Sequence, residues 1–109
     1  MTLDADERRA LEIFLDRLLR RVPAAVEQVE MFGSKARGTD RPDSDIDLLV
    51  IVASDDWHIR DKVYDVATDI LLQKDVCISP KVISKNRFDQ LCKEGTSFMH
   101  NVCRDAITV

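Results

Sequence analysis

Four aspartates, Asp40, Asp43, Asp45 and Asp47, crowd into eight residues at the start of an apolar run. That run, DIDLLVIV over residues 45–52, is rich in β-branched residues and long enough for a central strand. In a strand, residues two apart share a face, with Cα atoms roughly 6.6 Å apart at about 3.3 Å per residue. Asp45 and Asp47 therefore project side by side while Ile46 and Leu48 enter the core. Carboxylates whose oxygens approach within about 4 Å repel by roughly 4 kcal/mol at an effective dielectric of about 20, so the pairing is costly unless a cation lies between them. All-oxygen ligands suit Mg²⁺ or Mn²⁺ and would not select zinc or copper. An EF-hand is excluded, because a register starting at Asp43 puts Leu48 where the loop needs Gly and Ser54 where it needs Glu. The plainer alternative is a solvated turn and strand end.

Upstream, Gly33-Ser34 follows an alternating stretch and opens a candidate helical turn. In such a setting backbone N–H groups converge on an anion, and Gly lets a phosphate approach with no Cβ in the way. Ser34 adds a hydroxyl donor, and Lys35 and Arg37 add positive charge, Arg37 with a fork that fits phosphate oxygens. A Walker A loop does not explain the turn, since Gly38 is followed by Thr39-Asp40 and the phosphate-binding Lys is missing. Taken alone, this is an ordinary strand-to-helix turn with two exposed cations. Paired with the acidic strand, it supplies the two parts a metal-bound nucleoside triphosphate needs.

The elements that must position these groups follow from periodicity. Asp4 or Asp6 caps a first helix whose apolar positions are Leu11, Phe14, Leu15, Leu18, Leu19 and Val22, and Pro23 ends it. Val26–Phe32 reads as a short strand stopped by Gly33, and Ser34–Arg37 as one helical turn closed by Gly38. After the acidic strand, Asp55 or Asp56 caps a helix to about Gln73 with Ile59, Val63, Val66 and Ile70 on its apolar stripe. A third strand is expected over Asp75–Ser84, with Pro80 favouring an edge position or a bulge. Ser84 caps a short helix over Lys85–Lys93, Gly95 stops it, and a last helix is expected over Phe98–Ile107.

Composition bounds the partners. A chain of 109 residues fits one domain, and 45% hydrophobic with 33% charged residues is a globular balance. A net charge of -4 argues against coating nucleic acid or acidic membrane non-specifically. No apolar run approaches the roughly 20 residues of a membrane span, and the acidic start MTLDADERRALEIF is unlike a signal peptide, so a cytoplasmic location is expected. Cys77, Cys92 and Cys103 form no Cys-x-x-Cys pair and are expected to be reduced, partly buried thiols; His58 and His100 have no metal-ligand spacing. The aliphatic first helix and the late helices can close the core or carry an oligomer interface.

Gly33-Ser34, ten residues, then Asp45-Ile46-Asp47 resembles the Gly-Ser-x10-Asp-x-Asp signature of the polymerase-β-like nucleotidyltransferases, and GSKARG with SDIDLLVIV is similar to the minimal nucleotidyltransferase (MNT) branch. The resemblance implies an α/β (α+β) fold with a small mixed sheet packed against helices, as a single domain over 1–109. It implies that Asp45 and Asp47 hold two Mg²⁺ ions, Mn²⁺ being an alternative, while Gly33 and Ser34 bind phosphate. Active members carry a third carboxylate on a neighbouring strand that binds metal and helps deprotonate the acceptor. Asp75, sharing strand parity with Cys77 and Ser79, is the candidate, and Cys77 and Ser79 are the alternatives for that place.

Two functions of different classes follow. One is an enzyme transferring AMP from ATP, or another nucleoside monophosphate from its triphosphate, to a hydroxyl. The resemblance implies a tyrosine of a helical HEPN-type toxin as acceptor, with the chain as antitoxin. The other is a nucleotide-binding antitoxin that has lost turnover and neutralises its partner by complex formation. Retained Gly33, Ser34, Asp45 and Asp47 favour the first, and a missing third acid would favour the second.

Overall fold

A computed structural model describes residues 3–33, 45–97, 99–100, 102 and 106–109. The first helix, α1 (Ala5–Arg21), starts at a capping box: Asp4 Oδ1 accepts from Glu7 N at 2.8 Å and Glu7 Oε1 accepts from Asp4 N at 3.2 Å. Acidic residues in its first turn and Arg20 and Arg21 in its last complement the helix dipole. It buries Ala10, Leu11, Phe14 and Leu18, whereas Leu19, expected on the stripe, is 64% exposed. The inward face is thus narrower than the run of leucines suggests. Pro23 follows the C-cap Val22, and Ala24 takes a left-handed conformation that turns the chain into the sheet.

Strand β1 (Val26–Phe32) pairs antiparallel with β2 (Ile46–Val52). Helix α2 (Trp57–Lys74) then crosses over to β3 (Ile78–Ser84), which runs parallel to β2. Helix α3 (Lys85–Glu94) is capped by Ser84 and closed by Gly95. Thr96 starts the helical turns to which Met99, His100 and Val102 belong. The chain then returns as β4 (Ile107–Thr108), antiparallel to β1 with Ile107 opposite Met31. The sheet order is β3-β2-β1-β4, a mixed sheet with Pro80 on an edge strand as expected.

Two expected boundaries and one expectation of burial change. The third strand starts at Ile78, because Asp75 is the left-handed C-cap of α2, its N–H donating to Leu71 O at 3.0 Å. Asp tolerates that conformation better than most residues. Ile107 belongs to a strand and not to a last helix. Cys77 and Cys92 are both exposed residues, although the Cys77 thiol keeps part of the burial expected of it. Cys103 and the helical turn expected over Ser34–Arg37 with its Gly38 cap lie outside the described residues.

β2 is covered on both sides. Ile46, Leu48, Val50 and Val52 enter the main core with Phe14 and Leu18 of α1 and Val63, Val66 and Ile70 of α2. Leu49 and Ile51 enter a second, smaller core with Val102, flanked by Phe32, Ile83 and Phe88. Burying each of these side chains contributes about 1.5–3 kcal/mol, which makes β2 the most firmly held element. No described helix is long and apolar enough to cross a membrane.

Candidate active site

The firmly held strand carries the acids at its entry. Strand alternation puts Asp45 and Asp47 in the row that continues as Leu49 and Ile51, so neither enters the main core. Asp47 is half-buried and Asp45 is exposed, while Ile46 and Leu48 between and after them are fully buried. The strand expected from residue 45 begins at Ile46, so Asp45 directly precedes β2 and Asp47 is its second residue.

Phe32 stands opposite Asp47, so Gly33 leaves β1 beside the Asp47 carboxylate. Gly33 has a φ of +75°, and a Cβ there would meet Asp47 Oδ2 at 2.5 Å. Only glycine satisfies both the left-handed backbone and the close approach. Gly33 and Asp47, separate in sequence, thus meet at one sheet end. Ser34, Lys35 and Arg37, the other expected phosphate-binding residues, lie outside the described residues.

On the other flank, β3 places Ser79 beside Asp47, and Ile46 N donates to Cys77 O at 3.0 Å, which brings Cys77 beside Asp45. The Cys77 thiol donates to the Asp45 carboxylate. Burial pushes this thiol up from its ordinary pKa, and the hydrogen bond to Asp45 and the negative charges of Asp45 and Asp47 push it further in the same direction. One thiol feels both carboxylates, so both lie near Cys77. Asp75, at the C-cap of α2, precedes β3 by three residues and is exposed. Among the described residues, no group of three or more His, Cys, Asp or Glu side chains is arranged to hold a metal ion.

The donor set can be weighed on these terms. Two hard carboxylates at the entry of β2, with no Cβ at Gly33 to crowd Asp47 Oδ2, fit Mg²⁺ held by one or two carboxylates plus phosphate and water oxygens. A cavity of about 250 Å³ opens at Asp45 and is bordered by Tyr64, Thr68, Cys77, Ser79 and Pro80. Tyr64 and Thr68 were not singled out from the sequence. The signal was available, because Tyr64, Thr68 and Leu71 recur at i, i+4 and i+7 beside the buried stripe of α2.

The nucleotidyltransferase domain family matches residues 11–97. An inferred protein adenylyltransferase of Methanocaldococcus jannaschii is 32% identical over 100 residues, covering 92% of this chain and 94% of the relative. Two solved structures share the fold. A toxin-antitoxin crystallised with AMP-PNP has a TM-score of 0.52 at 20% identity, covering 87% of this chain and 68% of that one. A Sulfolobus solfataricus protein assigned by inference as a nucleotidyltransferase has a TM-score of 0.54 at 16% identity, covering 98% and 87%. A sheet end that gathers Gly33, Asp45 and Asp47 and a family match spanning most of the chain lead to one conclusion: the chain belongs to the nucleotidyltransferase domain family and is a nucleotidyltransferase.

Proposed function

We propose that the protein transfers AMP from ATP to a hydroxyl, a tyrosine of a HEPN-type toxin being the acceptor, and that it acts as the antitoxin of that partner in the cytoplasm. The observation that carries the reading is the close approach of the Gly33 backbone to the Asp47 carboxylate, which supports a reading in which phosphate and metal would be held side by side. The relative described as a protein adenylyltransferase and the toxin-antitoxin neighbour holding AMP-PNP support it.

In this reading Gly33 and Ser34 would hold phosphate oxygens, with Lys35 and Arg37 adding charge, and Asp45 and Asp47 would hold Mg²⁺. The metal, when bound, neutralises the triphosphate and stabilises charge on the attacking and leaving oxygens. The acceptor oxygen bonds to the α-phosphorus, the bond to the bridging oxygen breaks, and pyrophosphate leaves with the electron pair. The hydroxyl proton passes to solvent water. Cys77 keeps Asp45 oriented through its thiol hydrogen bond, and Ile46 and Leu48 anchor the strand that holds both acids.

A specific observation favours a second reading, in which a nucleotide-binding antitoxin works by complex formation. The side chains beside Asp45 and Asp47 are Cys77, directly before β3, and Ser79 on it, not a carboxylate. Asp75 could serve as the third acid only by reaching in from the helix cap. Incubation with α-labelled ATP, Mg²⁺ and the co-purified partner separates the two. Label on the partner that disappears in Asp45→Ala and Asp47→Ala supports transfer, whereas toxin neutralisation that survives both changes without labelling supports complex formation.

A further inference from the structure

Two cavities lie along the outer edge of β3. The one at Asp45 is bordered by Tyr64, Ser79 and Pro80. Its neighbour, about 330 Å³, is lined by Leu49, Arg60, Tyr64, Lys81, Val82 and Ile83. Tyr64 borders both, so they form successive parts of one groove that leads to Asp45. Lys81 stands beside Leu49, one same-face step beyond Ser79 and Asp47. It therefore belongs to the row that carries the acids.

In-line displacement assigns the two flanks of β2 different roles. If the phosphates rest at the Gly33 turn, on the β1 side of Asp47, pyrophosphate leaves on that side. The nucleophile must then arrive from the opposite side, over β3. The charge of this approach is specific. Arg60 and Lys81 are the only charged side chains lining the second cavity among the described residues, in a chain whose net charge is -4. Asp55 lies 3.4 Å from Arg60, but both side chains are largely exposed, and such pairs hold weakly enough for a ligand carboxylate to displace the partner. The tyrosine face, the edge strand and two cations suit an extended polypeptide carrying carboxylates near its acceptor hydroxyl.

We propose that the groove of Arg60, Tyr64 and Lys81 along β3 is the acceptor-docking site and that it selects an acidic polypeptide segment, an inference that rests on the transferase reading for the direction of approach. The test uses fluorescent random copolymers of Glu with Tyr and of Lys with Tyr, titrated by anisotropy at physiological ionic strength with Mg²⁺ and a non-hydrolysable ATP analogue present. The protein is expected to bind the Glu copolymer roughly tenfold more tightly than the Lys copolymer, and Arg60→Glu with Lys81→Glu to erase that preference. Affinity for a fluorescent ATP analogue should not change. The milder pair Arg60→Gln with Lys81→Met should lose part of the preference while melting as the parent does, which excludes misfolding as the cause. Equal binding of both copolymers, a preference that survives charge reversal, or a loss confined to nucleotide binding would each overturn the proposal. With α-labelled ATP the two claims separate. Selective binding without labelling leaves the docking site standing and removes the transferase, whereas labelling insensitive to charge reversal does the opposite.

Discussion

Gly33 and Asp47 are locked together: the backbone at Gly33, at φ +75°, passes so close to Asp47 Oδ2 that a methyl group would sit 2.5 Å from it. Both the turn geometry and the carboxylate position depend on the missing side chain. Gly33→Ala must adopt a left-handed conformation costing about 1–2 kcal/mol and must also push the Asp47 carboxylate aside. The expected result is a melting temperature lower by roughly 5–10 °C and a Mg²⁺-dependent nucleotide affinity weaker by at least about tenfold. Calorimetry and a fluorescent-nucleotide titration on the same sample read both.

The Cys77 thiol gives a pH-dependent signal from inside the site. Its pKa is raised first by burial and then by Asp45 and Asp47, so folding favours the protonated form. That contribution is fully present below the unfolded value, about 8.5, and is lost as pH rises through the higher native one. In metal-free buffer, alkylation of Cys77 at about pH 8.5, followed by peptide mass spectrometry, should be slower than for the same peptide unfolded. Asp45→Asn should speed it.

Replacing that thiol by a carboxylate tests what stands beside the acids. Cys77→Asp puts a third negative charge against Asp45, so the metal-free protein should melt below the parent. Mn²⁺ should restore it by a larger shift than the parent shows, because a ligand that binds only the native state stabilises in proportion to its affinity. Thermal melts with and without Mn²⁺ read the difference, and equal shifts would show that residue 77 does not reach the metal.

Much of this arrangement could be read from the residues themselves. The DIDLLVIV stretch combines a short apolar run with β-branched residues, which favours a strand buried on both sides, and Ser84 and Gly95 bound α3 through cap chemistry that acts locally. What escaped was decided elsewhere in the chain. Asp75 ends a helix where a strand was expected to begin, since an acid between helix and strand suits either, and the left-handed cap becomes evident only with the hydrogen bond to Leu71. The two-residue β4 carries no periodicity of its own and exists through pairing with Glu30 and Met31. The meeting of Gly33 with Asp47 was implied by motif spacing, but the place of Cys77 and Ser79 beside the acids required the β2–β3 register.

Asp56 controls the start of α2 and with it the placement of Tyr64. Its carboxyl is held below the ordinary range chiefly by the His58 backbone N–H, which donates at 2.9 Å, and then by the His58 ring at 3.0 Å. A depressed native pKa means that the stabilisation is present above the unfolded value, about 3.9, and disappears as pH falls through the native one. Asp56→Asn should keep the cap at neutral pH and lose this part of the acid-limb dependence. Asp56→Ala should already be less stable at neutral pH. Urea titrations at neutral and acidic pH compare the three proteins.

The central claim is that Asp45 and Asp47 are tolerated side by side because a divalent ion joins them to a triphosphate resting on the Gly33 turn. Isothermal titration calorimetry with a non-hydrolysable ATP analogue, with and without Mg²⁺, on the parent and on Asp45→Asn with Asp47→Asn, tests it most directly. Binding that requires Mg²⁺ and vanishes in the double variant, whose melting temperature is no lower than the parent's, is the expected result. Binding that ignores the metal or survives the loss of both carboxylates would contradict it.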